Sequence, residues 1–494
     1  MKKTLIYILP FLLFIVAGCK KSYLETEPSN AATEQEIFSK YTAVTAALGG
    51  IYKEQFAYGT GASTGHDNFG QKATDLMFDL MGNDMVVNTQ GYGWFNTDYS
   101  LTAWASAATG AQSDNAWYMY YDIIKQANKL INNVDGVEDA TADQKNNIKG
   151  QAYGLRAYAL FYLINYFQQT YKGHESEKGV PIYTQDTTVG KARGSVQDVY
   201  DQIVSDLTLA EPLVTGKPRT DKTNIDLSVI QGLRARVALE MEDWATAADY
   251  ATKAHSTYSL MAASVYPTRT AFSSVGNSEC MWGSFIPEDQ ATIYASFFSH
   301  MDISTGGYAA LGGQKKITKA LYDQIPAGDV RKTVFTTPGT GTVSNPDYNQ
   351  LKFQVPVPGK WAADYFYMTA AEMYLIEAEA LERDGKDDDA RTALETLVQT
   401  RYPAYSAAGL TGTALLNEIL LQRRIELWGE GFSLWDIKRL GQGLNRPTGP
   451  GNHGAPNFDP GVYTTAPADP RFLMRVPQRE LDNNINMTPD DQNP

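Results

Sequence analysis

The chain has 494 residues, 43% hydrophobic and 20% charged. That balance excludes a mostly disordered, collagen-like or polytopic membrane protein. Acidic residues outnumber basic ones, 56 to 42, for a formal charge of −14, a sign that repels nucleic acid and anionic lipid faces and sets both aside as main partners.

The chain begins with Lys2 and Lys3 and an apolar run from Leu5 to Val16, broken only by Pro10. The run is too short to span a bilayer and ends in small residues, as a secretory signal does. Val16-Ala17-Gly18-Cys19 resembles a bacterial lipobox, in which the peptidase cuts before the cysteine and the cysteine carries lipid. An ordinary signal peptide cut near Ala17 or Gly18, with a chance cysteine, is the alternative. The second cysteine, Cys280, would then have no intramolecular partner, and the mature chain would rely on burial for stability. With Lys2 and Lys3 removed, the charge of −14 becomes −16. No second hydrophobic span follows, so the expected product is anchored to a membrane and does not cross it.

Residues 57–115 are rich in Gly, Asn, Asp, Thr and aromatics, including Gly91-Tyr92-Gly93-Trp94-Phe95-Asn96. Helical periodicity then dominates. It predicts helices over Ala116–Val134, Ile148–Gln169, Val196–Leu213, Leu227–Met241 and Trp244–Ala254. Residues 262–360 return to the loop-like aromatic composition, with Trp282, Tyr294, His300 and Tyr308, and with Trp361 at the edge. Thr369–Asp384, Ala390–Arg401 and Ala414–Leu440 are again helical in pattern, and 441–470 is dense in Pro and Gly. Strand-like runs are few, so the predicted fold is mainly α. Irregular segments of this length are usually functional or disordered, and the aromatic content argues against plain linker.

Two comparisons suggest repetition. Gly154-Leu155-Arg156-Ala157 recurs as Gly232-Leu233-Arg234-Ala235. Ala238-Leu239-Glu240 with Trp244 and Ala247-Ala248 aligns with Ala380-Leu381-Glu382, Gly385 and Ala390. Small residues flanking a tight polar turn are what a tetratricopeptide-type helix pair needs for close approach. Any Ala-rich hairpin could look the same.

Taken together, the motifs resemble those of the SusD/RagB-like outer-membrane lipoproteins of Bacteroidetes. Cys19 is followed by Tyr23-Leu24-Glu25 and Pro28. Arg156-Ala157-Tyr158 leads through Phe161-Tyr162-Leu163 to Gly179-Val180-Pro181. Met368-Thr369-Ala370-Ala371-Glu372 leads into Glu377-Ala378-Glu379-Ala380. Arg423-Arg424-Ile425-Glu426-Leu427-Trp428 leads to Trp435-Asp436 and Lys438-Arg439, and Pro477, Glu480 and Asn483-Asn484 close the series. The resemblance implies a signal over 1–18 and a single SusD-like domain over 19–494. It implies helical repeat parts near 116–260 and 361–440, and loop-rich ligand-side insertions near 57–115 and 262–360. It further implies four tetratricopeptide-like helix pairs, a place on the outer face of the outer membrane, and a SusC-like TonB-dependent transporter as partner. The implied task is capture of a nutrient, usually an oligosaccharide, for delivery to that transporter.

The 30 Tyr and 8 Trp suit wet binding surfaces, because each ring pairs an apolar body with a polar tip. Sugar binding needs flat apolar faces for the C–H faces of a pyranose and polar groups for its rim. Tyr92, Trp94 and Asn96 supply both within five residues. Tyr294, His300 and Tyr308 could supply an opposing wall. Any of these aromatics could instead fill core.

Arg423–Arg439 holds four basic residues and two Trp. It reads best as helix whose charges pair with neighbours while Trp428 and Trp435 fill the core. Gly61-Ala62-Ser63-Thr64-Gly65 matches G-x-S-x-G but lacks the preceding strand and following helix that a nucleophile elbow needs. The glycines at 59, 61 and 65 miss the dinucleotide spacing. No His/Cys cluster has zinc spacing, and Asp387-Asp388-Asp389 reads as a helix start. No cofactor, metal or catalytic residue is therefore expected. Two alternatives remain open: a surface lipoprotein glycoside hydrolase, whose two carboxylates could lie anywhere among 56 acidic residues, and capture of peptides in place of sugars.

Overall fold

Long helices form where capping residues precede runs of small and apolar side chains. In the computed structural model, which describes residues 33–61, 63–102, 111–219 and 221–494, eleven of them make the scaffold. They are α1 (Tyr41–Glu54), α2 (Gln71–Leu80), α3 (Ala111–Asn133), α4 (Ala142–Phe167), α5 (Val196–Val214), α6 (Leu227–Glu240), α7 (Trp244–His255), α8 (Ala370–Arg383), α9 (Asp387–Arg401), α10 (Gly412–Glu426) and α11 (Ser433–Arg439). The signal segment and Cys19 lie outside the described residues. Thr141 with Gln144 and Ser195 with Asp198 form reciprocal capping boxes at α4 and α5. Asp226, Asp243 and Thr369 cap α6, α7 and α8. Each cap satisfies backbone N–H groups that a helix start leaves orphaned.

The helices stack in chain order. α3 packs on α4, α4 on α5, α5 on α6, α6 on α7, α7 on α8, and α8 on both α9 and α10. α4 is the central member, buried on nearly every face from Ile148 to Phe167. Glycines set the closest approaches. A Cβ at Gly154 would collide with Ile230, and one at Gly232 with Met368. The two Gly-Leu-Arg-Ala segments are therefore alike in their glycines. Their arginines differ: Arg156 is buried in a bidentate pair with Asp206 at 2.8 and 2.5 Å, whereas Arg234 reaches a backbone carbonyl, Val204 O at 3.3 Å, and lies over the Tyr250 ring.

The second repeat comparison extends to atomic detail. After α6, Glu242 N–H donates to Leu239 O and Asp243 N–H to Ala238 O. After α8, Gly385 N–H donates to Glu382 O and Lys386 N–H to Leu381 O. Both are the same left-handed Schellman stop, with φ 58° at Glu242 and 76° at Gly385.

Two expectations change. Ala414–Leu440 is two helices, α10 and α11, not one. Gly429 and Gly431 break it, with φ 81° and 99°. Side chains there would strike Phe353 and Asp75. Helices α1 and α2 escape periodicity analysis. α2 is buried all round, Lys72, Asp75 and Asp79 included, so its polar face packs inside the protein and does not meet solvent.

Between the helices, two small antiparallel sheets pin the loop-rich parts. β1 (Met85–Val87) pairs with β3 (Lys315–Ile317), Met85 opposite Ile317. β2 (Cys280–Ser284) pairs with β4 (Tyr365–Thr369), Cys280 opposite Thr369. β4 runs directly into α8, so the 262–360 insertion is bolted to the helical stack at its exit. Cys280 is a free, buried thiol, pushed up to about 12 by desolvation.

Candidate ligand-binding platform

The loop before α3 is shaped by backbone sign. Gly91, Gly93 and Phe95 all take positive φ, at 51°, 87° and 63°. Phe95 costs about 1–2 kcal/mol in that conformation as a non-glycine residue. It is held there because its ring is buried between Phe69, at 6.0 Å, and His300, at 5.0 Å. With Phe95 as plug, Tyr92 is thrown outward, 70% exposed, and Trp94 is half-buried. Asn96 braces the turn, its Nδ2 donating to Gln90 O at 3.0 Å. Thr89 Oγ1 donates to Gly312 O at 2.8 Å and ties this loop to the second insertion.

The second insertion answers with Tyr294 and Tyr308. A short helix, Phe297–Met301, carries His300, and Gly307 packs so close to Ser299 that a side chain would collide. This brings Tyr308 onto His300, ring centroids 4.9 Å apart at 25°. Tyr308 lies 5.4 Å from Tyr92, 6.0 Å from Trp94 and 5.6 Å from Tyr294. Tyr294 in turn meets Trp361 at 6.0 Å and is 43% exposed.

The sequence candidates thus converge from two insertions that lie far apart in the chain. Their roles differ. Tyr92, Trp94, Tyr294 and the edge of Tyr308 form an outward aromatic platform. His300 is only 1% exposed, so as it stands it forms the floor and does not meet a ligand directly. Its Nε2–H donates to His66 O at 2.9 Å. Desolvation, then the Lys315 charge, pushes its pKa down to about 3, which keeps the imidazole neutral.

Sequence reasoning passes over His66 and Tyr58. His66 lies 5.3 Å from Trp94 at 25° and 6.0 Å from Tyr294 at 5°, so the three rings are nearly parallel. Its Nδ1 shares a 2.5 Å hydrogen bond with the Tyr308 hydroxyl. Tyr58 abuts its edge at 6.0 Å. The cue for both is their place in the same Gly-rich, aromatic segment as Tyr92. In the G-x-S-x-G stretch beside them, Ser63 to Gly65 is irregular backbone, and Ser63 Oγ accepts from Gly65 N–H at 2.9 Å.

A cleft of about 830 Å³ lies elsewhere, lined by Asp84, Arg423, Arg424, Trp428 and Asp436 among others. None of its residues belongs to the platform. Arg423 and Arg439 pair with Asp436, and Arg439 also with Glu379, while Trp428 and Trp435 are buried. This is the structural role that the Arg423–Arg439 pattern suggests. The platform gathers exposed ring faces with little charge, whereas the cleft holds charges already paired.

A mainly helical scaffold of stacked helix pairs that displays an aromatic platform from two long insertions is the architecture to be matched against known proteins. Residues 22–239 match the family described as starch-binding associating with outer membrane, and residues 344–494 match the SusD family. The chain belongs to the SusD/RagB-like family. It is 23% identical to SusD-like protein P2 of Formosa agariphila, over 99% of both chains. Among solved structures it superposes on a SusD-like carbohydrate binding protein from Bacteroides vulgatus with a TM-score of 0.81, at 29% identity, covering 92% of this chain and 98% of that one. It also shares its fold with surface glycan-binding protein A from Bacteroides thetaiotaomicron, solved with laminarihexaose, at a TM-score of 0.68 and 17% identity over 92% of this chain and 99% of that one.

Proposed function

We propose that this protein is a non-catalytic, lipid-anchored surface receptor that binds a nutrient oligosaccharide and passes it to a SusC-like TonB-dependent outer-membrane transporter. The observation that carries the reading is the platform of Tyr92, Trp94 and Tyr294, held open over a rigid floor of His66, Tyr308 and His300. Pyranose faces stack on such rings, and Tyr hydroxyls and Asn96 meet the sugar rim. The 29%-identical structural relative from Bacteroides vulgatus is a SusD-like carbohydrate binding protein, which supports the same choice. A formal charge of −14 disfavours polyanionic glycans and favours neutral ones. The lipobox-like Val16–Cys19 supports the anchor.

The test is a panel of neutral and acidic oligosaccharides and peptides, read by calorimetry, with the products analysed after incubation. Binding of a neutral oligosaccharide without turnover is expected. Turnover at enzyme-like rates would overturn the non-catalytic reading, and exclusive binding of peptides would overturn the glycan reading. Cys19→Ala should release the protein from membranes; a variant that stays membrane-bound refutes the anchor.

A further inference from the structure

The large cleft beside α10 has its charges paired, yet hydrogen-bond donors are left over. Asp84 accepts from both Nε and Nη2 of Arg424, at 2.9 and 2.6 Å. Asp436 accepts from Arg423 Nε on one oxygen, at 2.8 Å, and from Arg439 Nε on the other, at 2.7 Å. Asp79 accepts from the N–H groups of Gly431 and Ser433, and Glu418 from the Tyr405 hydroxyl and the Gln422 amide. Every acid in the wall therefore has its donors.

Arg423 lacks its acceptors. It is 3% exposed, with its guanidinium carbon 5.0 Å from the Phe432 ring. Its Nη1 is buried without a partner, and its Nη2 makes no hydrogen bond among the described residues. A guanidinium taken out of water with only its Nε–H bonded is costly, and native structures rarely leave such donors open. What completes it must bring oxygen acceptors, because both oxygens of Asp436 are already in use. Arg424, one residue on, is 44% exposed along its side chain, and its Nη1 is likewise without a partner among the described residues.

The cleft has room for a ligand. Its volume of about 830 Å³ lies in the range of about 300–1,000 Å³ typical of small-molecule sites. Its lining combines exposed amides, Asn417, Gln442 and Asn445, with the apolar side chains of Leu421, Phe432 and Leu440.

We propose that this cleft is a second ligand site, separate from the aromatic platform, and that it takes a small sugar acid of the hexuronate class. The carboxylate bonds the free edge of the Arg423 guanidinium, a planar fork that matches a carboxylate as an ammonium cannot. Phe432, half-buried over the guanidinium, is the side chain that shifts to admit it. The amides meet the ring hydroxyls, and the apolar side chains meet the C–H face. One carboxylate suits the site, whereas a polymer of them would run into Asp84, Glu418 and the overall charge of −14.

The experiment titrates the mature chain with sodium glucuronate by calorimetry, with glucose, acetate and phosphate as comparison probes. Glucuronate should bind at least about tenfold more tightly than glucose, the worth of one charge-assisted hydrogen bond, and more tightly than acetate or phosphate. Arg423→Lys keeps a cation against Asp436 but removes the fork, and should weaken glucuronate about tenfold or more, with circular dichroism reporting an intact fold. Asn417→Trp, an exposed change on α10 that fills the cleft without touching Arg423, should weaken it as well, and keeps the test decisive if Arg423→Lys does not fold. No binding of glucuronate, equal binding of glucuronate and glucose, equal binding of all three anions, or undiminished binding in Asn417→Trp each overturns the proposal. No platform oligosaccharide enters these titrations, so failure here is separate from failure of the glycan reading.

Discussion

Replacing Trp94 by alanine separates the platform's binding role from its structural one. Trp94 is half-buried, with neighbours on one side at 5.3 Å (His66) and 6.0 Å (Tyr308). Losing these two ring pairs costs about 1–3 kcal/mol of stability, at about 0.5–1.5 kcal/mol for each aromatic pair. For a chain of this length, that lowers Tm by only about 1–3 °C, so the variant stays folded at 25 °C. A stacked sugar loses more. A central aromatic in a binding site is worth about 1–3 kcal/mol, or roughly a 5- to 150-fold rise in Kd. The assay is calorimetry with the tightest oligosaccharide from the panel, with circular dichroism and a thermal melt on the same samples. Trp94→Phe keeps a ring face and should recover part of the affinity. If Trp94→Ala binds within twofold of wild type while Tm shows the expected drop, Trp94 is core filling and the platform reading fails at its centre.

Two further predictions concern the scaffold. Glu242 occupies at φ 58° the position where Gly385 sits in the matching turn. Glu242→Gly should therefore stabilise by about 1 kcal/mol in urea unfolding, and no gain would mean that the Glu242 conformation carries no strain. His300 titrates at about 3 in the fold against about 6.5 unfolded. Its stabilising neutral form is fully present above pH 6.5 and lost as pH falls toward 3. By pH 5 this contributes about 2 kcal/mol of destabilisation relative to pH 7. His300→Gln should lose that part of the acid sensitivity, and an unchanged pH profile would refute the burial argument.

How much of this was legible beforehand depends on which force places each residue. Helices α3, α5, α7, α8 and α9 announce themselves because each has a buried and a solvated side, and the mostly buried α4 and α6 do so through their runs of Ala and Leu. α2 does not: it is short, and Lys72, Asp75 and Asp79 are buried with its apolar residues, so its polar side is not a solvated one. The aromatic loops are visible as composition, and Tyr92 and Trp94 do share a platform with Tyr294 and Tyr308. What composition cannot rank is depth. Tyr92 and His300 look equally available in sequence, yet one is 70% exposed and the other 1%. The difference comes from Phe95, whose left-handed backbone turns its neighbours outward, and from Gly307, which lets Tyr308 seat over His300. Both are tertiary effects. His66 was hidden for a related reason: a lone histidine has no pattern, and only the fold brings Trp94 and Tyr294 to either side of it.

A platform made of loops keeps its shape only if the loops are fastened to something stiff. Arg401, on α9, supplies one fastening. Its Nη1 donates to Met261 O at 2.6 Å, and its Nη2 donates to Glu279 at 2.6 Å and Glu426 at 2.9 Å. Glu279 belongs to the second insertion, Met261 directly precedes that insertion, and Glu426 ends α10. Arg331, from the same insertion, reaches Glu426 from the far side at 3.3 Å. Every charged member of this group is at most 3% exposed. Such a network contributes little net stability against a well-packed apolar alternative, because desolvating its charges offsets their attraction. Its effect is on geometry, since only one placement of the insertion satisfies all the partners. Arg401→Met should cost about 3–5 kcal/mol, as two carboxylates lose a buried counter-charge. Arg401→Met combined with Glu279→Gln should recover part of that, because one stranded charge is removed. If the network sets geometry, the double variant will regain stability in denaturant without regaining glycan affinity. Equal recovery of both would mean that the insertion finds its place without the ion pairs, and the fastening argument would fall.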